Sequence, residues 1–490
     1  MFNAVPRHFG ALPARTPTIS SIPRSQFPPN RHYSSSLTSR YGNLQRHYRY
    51  LPTSHFSQVR SYKTSMERFR EEMREGSRGI WRKHPIGLPL MILAASMSMV
   101  MLGFAIHGHR RRREFLSKFP APVTDQLRKA VYYTEIDLKP AEAMMWYKRA
   151  LIAADQIDMH PFSDEVVGIR LKAVEMLERA ELVIPAAQTL EKIRADCRQW
   201  VINGRRKQII QEKERAGKGA SEKVDPEATE EENQLRQREE LEGRFRDRAI
   251  KRTVGAGIKL GELYASDYIR DLEKAEKALS GAVEDGIAEL QRRRQLDLPV
   301  LSEEGEDHLN LKEVATAYTE LADLYTKRGK HDLATILYIQ ALPLVKEDEG
   351  ASTTCAQVVL LNNVASQIAE QAHHIPPASA TPPTPPSAQQ TGASGDVLLP
   401  QSREQLLDAA TQWAKKALDV AEHIKSPIRD EECDQACLAA TYNLGELAEM
   451  KREFSLARRF YEESRSLAKA QGFKKGVKKA DEALKRVKDL

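Results

Sequence analysis

The chain reads as all-α: a divergent solenoid of paired helices behind a single N-terminal transmembrane helix. Two observations carry that reading. The first is an apolar run, Ile86–Ile106, which is 21 residues long and has no ionisable group. One helix of that length covers the roughly 30 Å hydrocarbon core of a bilayer. The second is a pattern of small and aromatic residues that recurs at matched spacing: Ala322, Tyr325, Ala334, Tyr338 and Ala341, then Gly445, Ala448, Ala457, Tyr461 and Ser464. Self-similarity of this kind marks helix pairs that bury their faces against their neighbours.

The elements follow in chain order. Residues 1–66 hold eight Arg, one Lys and no Asp or Glu. An Arg- and Ser-rich start without acids is the composition of a mitochondrial transit peptide. Arg31-His32-Tyr33 before Ser34-Ser35 resembles a matrix-peptidase cleavage site, with Arg60-Ser61-Tyr62 as a second option. Residues 67–85 form a juxtamembrane segment and 86–106 the span. Six Lys/Arg lie within twenty residues before the span and five within twenty after it, Arg110–Arg113 among them. The positive-inside rule therefore leaves orientation open.

The chain carries a net +7, yet residues 1–66 hold +9 and 67–113 hold +6, which leaves −8 for 114–490. No basic stripe remains to neutralise phosphates, so the balance argues against nucleic acid as a partner.

Both clear repeats match the tetratricopeptide register, in which small residues let two short helices approach and aromatics fill the space beside them. Weaker copies fit the same template. Ala143, Tyr147 and Ala150 pair with Leu127–Thr134, and Ala186, Leu190 and Ile193 pair with Ala173–Leu177. Leu260, Gly261 and Tyr264 open another copy, whose Ala275 comes two residues late and so predicts a longer turn. Leu361–Ala365 pairs with Ala410, Ala414 and Ala417 across an insertion of thirty-three residues.

The expected organisation is first repeats at 114–202, a charged insertion at 203–250, middle repeats at 251–370, a Pro-rich disordered loop at 371–404, C-terminal repeats at 405–475 and a capping helix at 476–490. The loop has seven prolines and one charge between His373 and Pro400, so it cannot sustain a helix. The charged insertion reads as a solvated helical extension broken around Ala216–Pro226. The cap carries Val477, Leu484 and Val487 amid lysines.

Catalytic chemistry is absent from the motifs. None of the thirteen His begins an H-E-x-x-H site, and no phosphate-cradling P-loop occurs. His107 with His109, and His373 with His374, lack further ligands at metal spacing. No metal, cofactor or catalytic residue is assigned, and the chain is read as non-enzymatic. Cys433 and Cys437 lie one helical turn apart, but a single C-x3-C motif has no counterpart to pair with. The four cysteines, with Cys197 and Cys355, are therefore expected as unpaired thiols.

First helices of such a stack line a concave groove, and the groove positions of the better copies are Thr316, Thr319, Asp323 and Thr326, then Asn362 and Ser366, then Tyr442, Glu446 and Glu449. An acidic, hydroxylic groove suits an extended protein segment bearing Lys or Arg.

With leader, span and six degenerate repeats in that order, residues from about 80 to 490 resemble the fungal mitochondrial tetratricopeptide-repeat adaptor subunit of the inner-membrane i-AAA protease. The resemblance implies a single-pass inner-membrane protein with its repeats in the intermembrane space. It also implies an AAA-type membrane protease and its unfolded substrates as partners in protein quality control, and no catalytic residues. A respiratory-complex assembly factor or a preprotein receptor is the alternative on the same scaffold.

Overall fold

The computed structural model describes residues 87–217, 226–301, 308–350, 353–375, 402–425 and 428–488. Among them every regular element is an α-helix. The leader, the juxtamembrane segment and residues 376–401 of the Pro-rich loop lie outside the described residues. The chain divides into two units at Phe115 and Leu116.

Helix α1 spans Gly87–Leu116. Leu90, Met91, Leu93, Met97, Met99–Leu102, Phe104 and Ile106 are all exposed on it, Met99 to 73%. The hydroxyls of Ser96 and Ser98 turn back onto the helix, donating to the carbonyls of Leu93 at 2.8 Å and Ala94 at 2.9 Å. Among the described residues no helix is long and apolar enough to cross a membrane. The apolar run begins at residue 86, outside them, and the side chains at 87–89 and 92 are also outside.

The second unit contains α2 (Ala121–Glu135), α3 (Pro140–Gln156), α4 (Asp164–Arg179), α5 (Val183–Gly217), α6 (Pro226–Ala265), α7 (Leu272–Gln295) and α8 (Leu311–Lys327). It continues with α9 (His331–Glu349), α10 (Cys355–His374), α11 (Arg403–His423), α12 (Glu431–Met450), α13 (Phe454–Ala470) and α14 (Lys474–Lys488). Each first helix packs on the second helix that follows it, from α2 with α3 to α12 with α13, and α14 covers α13. First helices of neighbouring pairs also meet, α6 with α8 and α10 with α12.

Local chemistry starts and stops these helices. Asn310 with Glu313 and Ser402 with Gln405 form reciprocal capping boxes at α8 and α11, which satisfy N–H groups that have no partner within the helix. Three of the turns inside pairs, those after α4, α8 and α12, repeat one geometry. A residue at positive φ is followed by an N–H that reaches back across the last helical turn, as Leu182 does to Leu177, Lys330 to Tyr325 and Glu453 to Ala448, each at 2.9 Å. This is the Schellman stop. Gly329 takes the left-handed position at φ 70°, whereas Glu181 and Arg452 hold it at 59° and 63°, a conformation that disfavours a side chain. The turn between α6 and α7 occupies residues 266–271 against 328–330 between α8 and α9, which is the added length that the late Ala275 announces.

Close approach inside a pair is set by one contact. A Cβ added to Gly445 would stand 2.6 Å from the Tyr461 ring, and one on Gly261 would stand 2.4 Å from Leu279. The bulky second-helix residue therefore occupies the space vacated by the first-helix side chain. The buried tyrosines Tyr147, Tyr338 and Tyr461 also spend their hydroxyls on the first helix. Tyr147 pairs with Thr134 at 3.1 Å, Tyr338 donates to Asp323, and Tyr461 donates to Glu449 at 2.7 Å.

Three expectations need correction. Much of the charged insertion is helical, as expected, but its inner part is not solvated. The Glu289 side chain has no exposure, and it receives Arg205 at 2.7 Å and Arg292 at 2.8 Å; Asp247 binds Arg292 and Arg293, each at 2.9 Å. These groups tie α5, α6 and α7 together, and a charge run alone does not reveal that its members find opposite partners on three helices. The loop boundaries shift too, because α10 continues to His374 and α11 starts at Arg403. Finally, Cys433 is not an unpaired thiol but is bonded to Cys355, 78 residues away. Cys355 opens α10 and Cys433 lies in the first turn of α12, so the stacking of adjacent first helices brings them together; Cys197 and Cys437 are free and buried. The cap seats Val487 as expected, together with Gly476, Ala480 and Ala483, and Leu484 packs against the same core.

Gly445→Ala should lower the urea midpoint of helix loss, because overpacking by about 1–3 kcal/mol exceeds the gain in helix propensity. Gly168→Ala, whose Cβ meets nothing within 4 Å, should raise the midpoint, through a stability gain of up to about 1 kcal/mol. Equal shifts of the same sign would refute the packing account. Glu289→Ala should cost about 1–3 kcal/mol in the same measurement, since it removes a fully buried acceptor from Arg205 and Arg292 while Asp247 still holds both.

Candidate functional site

The inner part of α8, the end of α9, the start of α10 and the residues leading into α12 enclose a cavity of about 330 Å3. Ala315, Val345, Val359, Leu360 and Ile428 make its apolar lining, while Glu320, Asp323, Asp348, Glu349, Asp430 and Glu432 ring it with six carboxylates against one ammonium, Lys312. Thr316, Thr319 and Asn363 add neutral polar groups.

Several of these acids already have structural duties. Asp323 accepts from Tyr338. Glu349 accepts from Thr354 N at 3.1 Å and from Gln357 Nε2 at 2.5 Å. Asp430 caps α12 by accepting from Cys433 N at 3.0 Å. The others show strain from burial. Desolvation, with Asp323 and Glu262 nearby, pushes Glu320 up to about 7. Burial likewise raises Asp348, against the opposing pull of Lys312, and it raises Glu432, with Asp430 adding to the shift. Carboxylates held close together in a half-buried cavity favour a cation that would relieve them.

The structure divides the groove residues read from the sequence. Thr316, Thr319 and Asp323 line the cavity together, and both hydroxyls are turned onto their own helix, donating to Lys312 O and Ala315 O at 2.9 Å. Thr326 does the same to Ala322 O, at 2.9 Å. Asn362 and Ser366 are fully buried. Asn443 Nδ2 donates to Asn362 Oδ1 at 3.0 Å and to Ser366 Oγ at 3.1 Å, which joins α10 to α12. They are interior groups and not a partner-facing surface. Tyr442 is buried beside Tyr461, with ring centroids 5.3 Å apart. Glu449 receives Arg486 of the cap at 2.7 Å as well as Tyr461. Burial raises the half-buried Glu446. None of these last five lines the cavity.

Of the acids that sequence reasoning missed, Glu320 lies on α8 and the other four come from two triplets, Glu347-Asp348-Glu349 and Asp430-Glu431-Glu432. The first sits in the final turn of α9, where the helix dipole opposes negative charge. That conflict was the available signal.

No family model matches the chain. A tetratricopeptide-repeat-containing protein of Schizosaccharomyces pombe is 26% identical over 159 residues, which cover 32% of this chain and 37% of the relative. The matched stretch is thus little more than a third of that protein's length. Among solved structures, BtubC (BKLC) from P. vanneervenii is 12% identical, with 73% of this chain and 92% of that one covered at a TM-score of 0.32. A putative kinesin light chain with nearly identical TPR-like repeats from Podosopora anserina is 13% identical over 64% of this chain and 98% of that one, also at 0.32. Likeness at that score is too distant to bear on function. The helix pairs and the Schizosaccharomyces pombe relative support a tetratricopeptide-repeat protein.

Glu320 yields a pH prediction. The folded chain holds this proton up to about pH 7, while the ordinary value is 4.5, so the native state binds the proton more tightly. Stability should fall as pH rises through that window, by on the order of 1 kcal/mol. Glu320→Gln should flatten this part of the pH–stability profile; an unchanged slope would assign the effect elsewhere.

Proposed function

We propose that this chain is a non-enzymatic adaptor that holds a Lys- or Arg-bearing protein segment in the acidic cavity where its fourth, fifth and sixth helix pairs meet. The cavity carries the reading: an apolar lining accepts the stem of a long cationic side chain and the carboxylate rim accepts its head. An extended segment would run along the first helices, as tetratricopeptide-like stacks allow.

The adaptor is tethered to the mitochondrial inner membrane through α1, with the repeats in the intermembrane space. In support, the apolar side chains described in α1 are exposed and its serine hydroxyls are satisfied within the helix, as hydrocarbon requires. The acid-free leader supports the address. The second partner, an AAA-type membrane protease receiving the held substrate, follows the resemblance in layout.

Two measurements test these steps separately. A Lys-rich extended peptide should bind the full chain in a salt-sensitive manner, and Asp348→Lys with Glu432→Lys should weaken it at least tenfold, or about 1.4 kcal/mol. Binding that ignores the two changes would remove the cavity from the mechanism. Purification through a C-terminal tag in mild detergent should recover an AAA-type protease; recovery of respiratory-chain subunits alone would favour the assembly-factor reading.

A further inference from the structure

The corner formed by Cys355 and Cys433 holds more than a cross-link. Their Cα atoms are 4.9 Å apart. The Asp430 side chain, capping α12, places a carboxylate oxygen so that it and both sulfurs lie within 4.8 Å of one another, with the sulfurs buried and the aspartate exposed. Bonded to each other, the sulfurs offer no thiolate. Reduced, they become two soft ligands fixed on two helix starts beside a hard one. Thiolates with a carboxylate at this separation suit a tetrahedral, thiophilic divalent cation, with metal–sulfur bonds of about 2.3 Å and metal–oxygen bonds of about 2.0–2.2 Å. The exposed side of Asp430 leaves a fourth position for water.

We propose that Cys355, Cys433 and Asp430 form a redox-linked site for a zinc-class divalent cation, filled when the disulfide is reduced and emptied when it forms. In the forward direction a dithiol reductant delivers two electrons and two protons to the sulfur–sulfur bond and itself closes to a disulfide. The cation then displaces both thiol protons to solvent. In reverse, the two thiolates pass two electrons to a disulfide-class oxidant, which takes up two protons from solvent and leaves as a dithiol, and the cation is released.

Cys355 and Asp430 also line the acidic cavity. So does Glu432, whose Oε1 is buried with no hydrogen-bond partner among the described residues. The cation would therefore bring positive charge to a wall that holds an excess of carboxylates. The inference stands apart from the adaptor reading, because metal uptake is measured without any protein partner.

The test uses the full chain in detergent, reduced with a phosphine that is then removed, and titrated with Co2+ alone. One equivalent should bind with a thiolate-to-cobalt charge-transfer band that Zn2+ abolishes. The oxidised chain should take up none, and its digest should contain the Cys355–Cys433 linked peptide. Cys355→Ser should eliminate the band, Asp430→Ala should weaken binding at least about tenfold, and Cys437→Ser should leave it intact, each variant being checked for unchanged helix content. Absence of stoichiometric cobalt in the reduced chain, equal uptake by the oxidised chain, or a band that survives Cys355→Ser would overturn the proposal. The first two outcomes are read on the unaltered protein, so misfolding of a variant cannot mask them.

Discussion

The close approach of two helices through a missing side chain is the constraint on which the rest of the stack depends. Where Gly445 and Gly261 leave room, Tyr461 and Leu279 press against the first helix. That distance decides where the next pair can dock. Interiors packed at crystal-like density transmit such displacements instead of absorbing them. The tyrosine hydroxyls then restrict rotation about the pair axis, because Tyr338 donates to Asp323 and Tyr461 to Glu449. Apolar burial alone is non-directional and would permit neighbouring registers; these hydrogen bonds distinguish among them.

The acidic cavity follows from how the fourth, fifth and sixth pairs meet. Asp348 and Glu349 end α9 against its dipole, and Asp430 and Glu432 begin α12 with theirs. Only the first arrangement costs stability locally. Charges placed where the fold disfavours them are more informative than charges placed where it welcomes them. The same logic separates Asp323 from Asp348: Asp323 is committed to a tyrosine, while burial raises Asp348.

The helix pairs were legible in the sequence because small and aromatic residues recur at fixed spacing, and because a late Ala275 can only mean a longer turn. The cavity was legible on one side. Thr316, Thr319 and Asp323 lie on α8, whose period places them on a common face, whereas Asp348 and Asp430 arrive from chain segments whose proximity no local pattern encodes. Asn362 and Ser366 occupy the same template positions as the α8 groove residues, yet they are buried. The first helices α10 and α12 press together there, and Asn443 claims both polar groups. Pairing of Cys355 with Cys433 was hidden for the same reason, since contact between adjacent first helices ignores the residues threaded between them.

That bond has a topological consequence. It closes a ring of chain that contains all of α11 and the proline-rich stretch between α10 and α11. A single proteolytic cut within that stretch would open the ring without producing two molecules. The fifth repeat would then be assembled from two polypeptide ends held by sulfur, and the fragments would part only under reduction. An oxidised stack of this design can lose the continuity of its main chain and keep its sixth helix pair.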